Sequence, residues 1–134
     1  MPEAVHVRVG AGRYAFDVRD VREVEECQLM TAVPGAPAEL VGVCNLRGAV
    51  LPVVQVNRLL GQEPSPARFI VVADVDGIVA GVTVDDILGV EELPAQLEPE
   101  PAAGVRGRAL VDGELVGVLD IGEILRQLAE AAEG

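Results

Sequence analysis

The stretch NLRGAVLPVVQVNRLL, at residues 45–60, has a counterpart in LVDGELVGVLDIGEIL, at residues 110–125. When the two are aligned 65 residues apart, the turn glycine Gly48 falls on Gly113. The apolar positions also coincide, since Val50, Leu51, Val53, Val54, Val56, Leu59 and Leu60 meet Leu115, Val116, Val118, Leu119, Ile121, Ile124 and Leu125. This pattern indicates an internal duplication.

The hairpins that precede these stretches repeat as well. Gly12 falls on Gly77 at the same spacing, and Val24 falls on Val90 once one residue is inserted. One match between valine-rich hairpins would mean little, but two matches at nearly one spacing favour duplication. The seam between the two copies lies at Pro64-Ser65-Pro66.

Valine-rich strands predict the fold class. Valine packs well on a pleated surface, and aromatic residues make up only 2% of the chain. Short strands cannot leave their sheet edges exposed, so each half, residues 1–66 and 67–134, is expected to curl into a small barrel. The two barrels would share an interface, which makes residues 1–134 one domain. The expected class is all-β with a short C-terminal helix.

Turn and breaker residues place individual elements. Asp76-Gly77 and Asp112-Gly113 each separate two apolar runs, a strong hairpin signal because both residue types tolerate positive φ. Pro52 lies inside an apparent strand, which predicts a sheet edge or a bulge at that point.

The remaining segments are assigned by composition and spacing. Residues 94–104 are expected to form a surface connection. Ile121 to Ala132 carries apolar residues at helical spacing, which predicts an amphipathic helix that docks on the barrels. Asp86 and its counterpart Asp20 are expected to cap a short helix or turn.

The charge of the chain excludes several classes of partner. The formal net charge is −12, and lysine is absent, so every fixed side-chain cation is an arginine. Phosphate-binding surfaces need clustered cations, so nucleic acid is not an expected partner, and an anionic membrane surface is disfavoured for the same reason. Cys27 and Cys44 lack metal-ligand spacing and are interpreted as buried thiols in a reducing compartment, with a disulfide between them as the alternative.

The sequence shows no pattern of a targeting or membrane-spanning segment. No basic region followed by an apolar run opens the chain, which argues against a signal peptide. No stretch approaches the roughly 18 apolar residues of a membrane span, so direct membrane insertion is not expected. The sequence predicts a cytoplasmic protein.

Catalytic constellations are missing from the sequence. Ser65 is the only serine, and His6 is the only histidine and stands far from any nucleophile. Asp85 and Asp86 are adjacent strand residues that point to opposite faces, so they cannot share a metal ion unless the strand ends there. No enzyme activity, cofactor or metal is expected. The alternative is a small-molecule-binding barrel or minor hydrolase that uses Asp85, Asp86 and His6.

A binding surface is the remaining expectation. Asn45-Leu46-Arg47-Gly48 places an arginine on a turn between two apolar runs. This is the best candidate, because it interrupts the strand pattern with a forked hydrogen-bond donor. The alternative is structural, with Asn45 and Gly48 making the turn and Arg47 solvated. The pairs Glu25-Glu26 and Glu91-Glu92 are interpreted as solvated faces.

The segment GVCNLRGAVLPVV, residues 42–54, resembles the Gly-x-x-Asn-Leu-Arg-Gly…Pro-Val motif of the CheW-like family. Further matches follow in order, at Tyr14 to Val18, Phe69 to Val75 and Leu115 to Leu125, so the resemblance covers about residues 5–128. It implies two five-stranded SH3-like barrels around a shared core. Because family barrels exchange strands, residue 66 need not be a clean boundary.

The resemblance also implies a role. CheW-like adaptors bind the regulatory domain of a CheA-type histidine kinase and the cytoplasmic tips of chemoreceptors, which would place this chain at receptor arrays. Val21, Glu23, Gly42 and Arg47 match family positions implicated in receptor or kinase binding. Asn45, Leu46 and Gly48 would hold the turn that presents Arg47.

One departure from the family pattern leaves the particular partner open. The family often has Pro-Val-Ile-Asp where this chain has Pro52 to Gln55. An adaptor of a motility, pilus or developmental pathway, which binds a receptor without the kinase, is the alternative within the family.

Overall fold

The computed structural model describes residues 2–27, 29–100 and 104–133 and shows a mostly β protein. The strands in these ranges are β1 (Glu3–Val9), β2 (Gly12–Asp17), β3 (Val21–Glu26), β4 (Leu40–Leu46), β5 (Ala49–Val54), β6 (Phe69–Val75), β7 (Ile78–Val84), β8 (Asp86–Glu92), β9 (Val105–Val111) and β10 (Glu114–Leu119). A 3-10 turn at Val18–Asp20 follows β2, and the helix α1 (Ile121–Glu133) follows β10. The expected class, all-β with a short C-terminal helix, is confirmed.

The strands form two five-stranded sheets. The first sheet has the order β8-β1-β2-β10-β9, and the second has the order β3-β6-β7-β5-β4. Each sheet contains one parallel pair, β2 with β10 and β5 with β7. Consequently, each sheet mixes strands from both halves. The first takes β1 and β2 from residues 1–66, and the second takes β6 and β7 from residues 67–134.

Neither sheet is closed by a strand ladder, which corrects the expectation of closed barrels. In the second sheet, the chain leaves edge strand β3 and crosses to the other edge, where Thr31 forms an isolated bridge with Val43 of β4. In the first sheet, Glu98 bridges Arg108 of β9 in the same way. Thr31 pairs with β4 at this one point only. Each sheet is therefore curved, and a single bridge from the chain beyond one edge strand connects it to the opposite edge strand.

One core lies between the two sheets, and each sheet encloses a smaller one. Phe16 of β2, Val71 of β6 and Ile124 of α1 belong to the shared core and are almost completely buried. The smaller core inside the second sheet contains Cys44 and Ile70, and all of its buried members belong to that sheet. The shared core therefore ties both sheets and the helix into one packed unit.

The helix docks as its sequence predicts. Ile121, Ile124 and Leu125 are buried in the shared core. The carboxylate of Asp120 accepts a hydrogen bond from the backbone N–H of Glu123 at 3.0 Å, which satisfies a free donor at the start of α1.

The predicted caps Asp20 and Asp86 are wrong. Asp17 caps the 3-10 turn by accepting a bond from the N–H of Arg19 at 2.9 Å, and Asp20 is the last residue of that turn. Asp86 begins strand β8. The two halves therefore differ here, because the second has a bend where the first has a helical turn.

Pro52 lies in β5, which has a neighbouring strand on each side, but at Pro52 itself only one of them is paired. Pairing of β5 with β7 covers only Val53 and Val54, so Pro52 has a partner strand on one side alone. Its missing N–H therefore interrupts no ladder on the β7 side. In the predicted connection at residues 94–104, residues 101–103 lie outside the described residues.

A charged network occupies the interior of the first sheet. His6 is fully buried and shares its strand face with Ala4. Arg13 places its Nε and Nη2 at 3.2 and 3.0 Å from Nδ1 of His6, and its Nη2 also lies 2.6 Å from Glu91. Because arginine only donates, Nδ1 of His6 is the unprotonated nitrogen. Glu91, expected on a solvated face, is instead a partner of Arg13.

We expect this network to make stability depend on pH near neutrality. Burial and the adjacent Arg13 lower the pKa of His6 below its usual 6.5. Protonation therefore favours the unfolded chain, and the free energy of unfolding should fall as the pH drops from about 6.5 through the lowered pKa of His6. Urea titrations of the native chain and of His6→Asn, which keeps an acceptor near Nδ1 but cannot become charged, measure the difference.

The comparison isolates His6, since it is the only histidine in the chain. The charged groups that act on His6, namely Arg13, Glu91 and Asp112, are unchanged in the variant. If the free energy of unfolding changes equally with pH in the two proteins between pH 5 and 7, the pH dependence does not come from His6.

Candidate binding surface at the Arg47 turn

Three hairpins have matching two-residue turns, and one of them breaks the local rule. Asp76, Asp112 and Arg47 each hold the first turn position with φ of 52°, 52° and 50°, and a glycine with φ of 80–85° follows each. Aspartate tolerates this left-handed conformation, whereas a long side chain such as arginine adopts it rarely. An arginine kept where the equivalent turns have aspartate points to a requirement beyond the fold.

The residues around Arg47 stabilise the turn. The side-chain oxygen of Asn45 accepts a hydrogen bond from the N–H of Gly48 at 2.9 Å. Leu46 pairs with Ala49 across the hairpin and packs against the interior of the second sheet. These contacts fix the position from which the side chain of Arg47 leaves the sheet.

Arg47 spans the open side of the second sheet. Its Nη1 donates to Glu23 at 2.6 Å and its Nη2 to Glu25 at 2.7 Å, both on β3. The two edge strands are therefore joined by side chains where no ladder joins them. The side chain of Arg47 is still 67% exposed, against 20% for Glu23 and 28% for Glu25, so the guanidinium remains open to a partner.

The two carboxylates respond differently to this contact. The hydrogen bond from Arg47 lowers the pKa of Glu23, whereas the nearby carboxylate of Glu23 raises the pKa of Glu25. The expectation that Glu25 lies on a solvated face is wrong, because its side chain is half-buried and paired with Arg47. Its position two residues from Glu23, on the same strand face, is the signal that could have revealed it.

Five of the seven predicted site residues meet at this turn, namely Glu23, Asn45, Leu46, Arg47 and Gly48. The other two, Val21 and Gly42, lie away from the turn and remain predictions. Val21 packs against the shared core. Gly42 is buried, and a Cβ there would lie 2.6 Å from the carbonyl oxygen of Thr31, on the segment that closes the sheet.

We expect Gly42→Ala to destabilise the protein by about 1–3 kcal/mol, because the new methyl group forces the closing segment away from β4. Gly107, its counterpart in the first sheet, has a Cβ position 2.6 Å from the carbonyl of Glu98, so Gly107→Ala should have a similar cost. Gly122→Ala, on the helix, is the comparison: its Cβ would lie 3.2 Å from the side-chain carbon Cγ1 of Val75 rather than 2.6 Å from a backbone oxygen, and alanine favours the helix, so its cost should be smaller. Chemical denaturation measures all three. If Gly42→Ala has the stability of the native chain, the backbone at Thr31 shifts without measurable cost.

Exposed valines flank the charged residues. Val50, directly opposite Asn45 in the hairpin, is 73% exposed, and Val24, between Glu23 and Glu25 on β3, is 38% exposed. An arginine held between carboxylates and bordered by apolar side chains has the mixed character of a protein contact surface.

The residues of the alternative hydrolase hypothesis are not brought together. His6 contacts Arg13, while the carboxylate of Asp85 accepts bonds from the N–H of Gly10 at 2.8 Å and from the hydroxyl of Ser65 at 2.9 Å. Asn57 donates in turn to Ser65 at 2.9 Å, so Ser65 and Asp85 tie the seam to the first hairpin. Within residues 2–27, 29–100 and 104–133, no three acidic, histidine or cysteine side chains are placed to hold a metal ion.

Two rolled five-stranded sheets share one core, and an exposed arginine paired with two carboxylates spans the open side of the second sheet. This arrangement defines a two-sheet β protein with a candidate contact surface. A family model described as the CheW-like domain matches residues 3–129. The chain belongs to the CheW-like family.

Relatives support this assignment. A chemotaxis protein CheW of Rhizobium meliloti is 34% identical over 133 residues, covering 91% of this chain and 86% of that protein. Protein FrzA of Myxococcus xanthus is 35% identical over 101 residues, covering 72% of this chain and 63% of that protein. The crystal structure of the scaffolding protein TtCheW from Thermoanaerobacter tengcongensis superposes with a TM-score of 0.79 at 27% identity, covering 89% of each chain.

Proposed function

We propose that this chain is a non-catalytic adaptor that couples chemoreceptors to a CheA-type histidine kinase in chemotaxis-type signalling. Membership of the CheW-like family supports the role. The observation that carries it is Arg47, which stands at a strained turn position and yet remains 67% exposed between Glu23 and Glu25. A residue that only closed the turn would be the aspartate of the two equivalent hairpins.

The partners follow from the family resemblance. The regulatory domain of the kinase, which has the same fold, would contact a barrel of this chain, and the receptor tip would bind between the barrels. Arg47 and its carboxylates would fix the orientation of one partner, because charged groups at a contact contribute specificity more than affinity. The exposed Val24 and Val50 would add apolar area beside them.

The mechanism involves binding alone. The adaptor changes the balance between kinase states only if it binds one state more tightly than the other. The place of action would be the cytoplasmic face of receptor arrays, reached through partners. Across the described residues, no helix is long and apolar enough to span a bilayer.

The test is direct binding to both partners. The purified chain should bind the isolated regulatory domain of the kinase and a soluble receptor tip, each measured by calorimetry. Binding to neither would reject the adaptor role. Kinase activity with and without the chain, in the presence of receptor, gives the functional measurement.

A second candidate stays within the family. The similarity to FrzA, a relative that does not carry a chemotaxis name, is consistent with an adaptor of a motility, pilus or developmental pathway. Such an adaptor would bind a receptor tip without the kinase, so binding of this chain to the receptor alone would select this candidate.

A further inference from the structure

We infer that Glu25 is a positioning residue that controls how available Arg47 is to a partner, an inference that rests on the proposed function of the Arg47 turn. Arg47 donates from two nitrogens to two separate carboxylates, at 2.6 Å to Glu23 and 2.7 Å to Glu25. This differs from a bidentate pair, in which one carboxylate takes both N–H groups. One of the two acids is therefore dispensable for holding the arginine.

The charges of the three groups oppose an acidic partner. One guanidinium and two carboxylates together carry a net charge of about −1 at neutral pH. A partner that offers a hydrogen-bond acceptor to Arg47 must work against this charge, unless one carboxylate moves aside. The like charges of Glu23 and Glu25 also repel each other on the same strand face.

Glu25 is the carboxylate that moves at the lower cost, because its side chain is 28% exposed and lies 2.7 Å from Arg47, against 20% and 2.6 Å for Glu23. The pKa of Glu23 is lowered, first by its bond to Arg47, so its ionised form is stabilised. The pKa of Glu25 is raised, first by the neighbouring Glu23 and then by burial, in spite of its contact with Arg47. Replacing Glu25 by a partner's acceptor therefore relieves repulsion, while Glu23 keeps the guanidinium oriented.

The consequence is a selective surface. A partner can accept a hydrogen bond from Nη2 of Arg47 only if its own acceptor, a carboxylate or a backbone carbonyl, is placed well enough to replace Glu25. Contacts that are poorly aligned do not displace it and stay weak. Glu25 thus lowers affinity in exchange for discrimination between partners.

Glu25→Gln tests the inference, and Glu26→Gln is the matched control, since it removes the same charge from an exposed neighbour. For the partner that Arg47→Asn weakens, we expect Glu25→Gln to tighten the dissociation constant by about two- to fivefold. Glu23→Gln should weaken it, and Glu26→Gln should leave it unchanged. Calorimetry with the kinase regulatory domain and the receptor tip gives these values.

A pH profile separates this role from a structural one. As the pH falls through the raised pKa of Glu25, the native affinity should rise toward that of Glu25→Gln, which should itself show no such rise. The facing charged groups are Glu23, Arg47 and the nearby Arg22, and the β6 residue paired with Glu25 is the uncharged Ile70. Equal or weaker binding by Glu25→Gln, or identical pH profiles, would overturn the inference. If Arg47→Asn itself changes nothing, the proposed function of the turn fails instead.

Discussion

Phe16→Ala should lower the free energy of unfolding by about 3–5 kcal/mol, because it removes a large, fully buried side chain from the core that both sheets share. Both sheets should lose structure in the same transition, since we propose that residues 1–134 form one cooperative domain. Denaturation followed by circular dichroism and by hydrogen exchange in each sheet measures the effect.

The control for this prediction is Leu110→Ala. Leu110 is 65% exposed on β9, so its truncation should change stability by no more than about 0.5 kcal/mol. Two separate unfolding transitions, with the second sheet unaffected by Phe16→Ala, would show that the two sheets fold independently. The single-domain proposal would then be wrong.

Arg47→Asn should weaken binding to at least one partner by about ten- to a hundredfold, the value of a hydrogen bond to a charged group. Asparagine is well suited to the left-handed turn position, so the fold should remain stable to within about 1 kcal/mol. Calorimetry with the kinase regulatory domain and the receptor tip measures the binding, and denaturation checks the fold.

Asp112→Asn is the matched control for Arg47→Asn, since it places the same residue in the equivalent turn of the first sheet. It should leave the contact made by Arg47 intact. If Arg47→Asn binds both partners with native affinity, the side chain is only solvated and paired within the chain, and the turn is structural.

Local signals in the sequence were sufficient for the hairpins and the helix. The turns at Asp76 and Asp112 lie between the strands that their dipeptides predict, and α1 begins at Ile121 as its spacing indicates. Such signals report the neighbours of a turn, because positive φ and strand alternation depend on adjacent residues. They therefore located elements correctly without locating the sheets.

The exchange of strands between sheets depends on distant pairs. Nothing within β2 or β10 marks their parallel pairing, which joins Phe16 to Leu119, so only the family resemblance raised the exchange. Bulges at four of the ladders also shift the register in ways that alternation does not show, among them the shift between Val21 and Glu23. The expectation of fully closed barrels failed for a related reason, since closure depends on single bridges.

The group of charged residues at the Arg47 turn follows from the sequence only in part. The motif pointed to Arg47, and Glu23 was carried over from the family, but Glu25 was missed because it lies 22 residues from Arg47 in sequence. Rolling of the second sheet brings the two together. The family motif also predicts Gly42 as a binding residue, but it gives no sign that the backbone of Thr31 approaches Gly42 closely, because that approach depends on the rolled sheet.

The most direct test of the adaptor role is sedimentation of a mixture of the chain, the kinase regulatory domain and the receptor tip. The account predicts a ternary species that forms only when this chain is present, because an adaptor must hold both partners at once. Loss of the receptor tip when the kinase domain is added, or failure of both to associate with the chain, would contradict it.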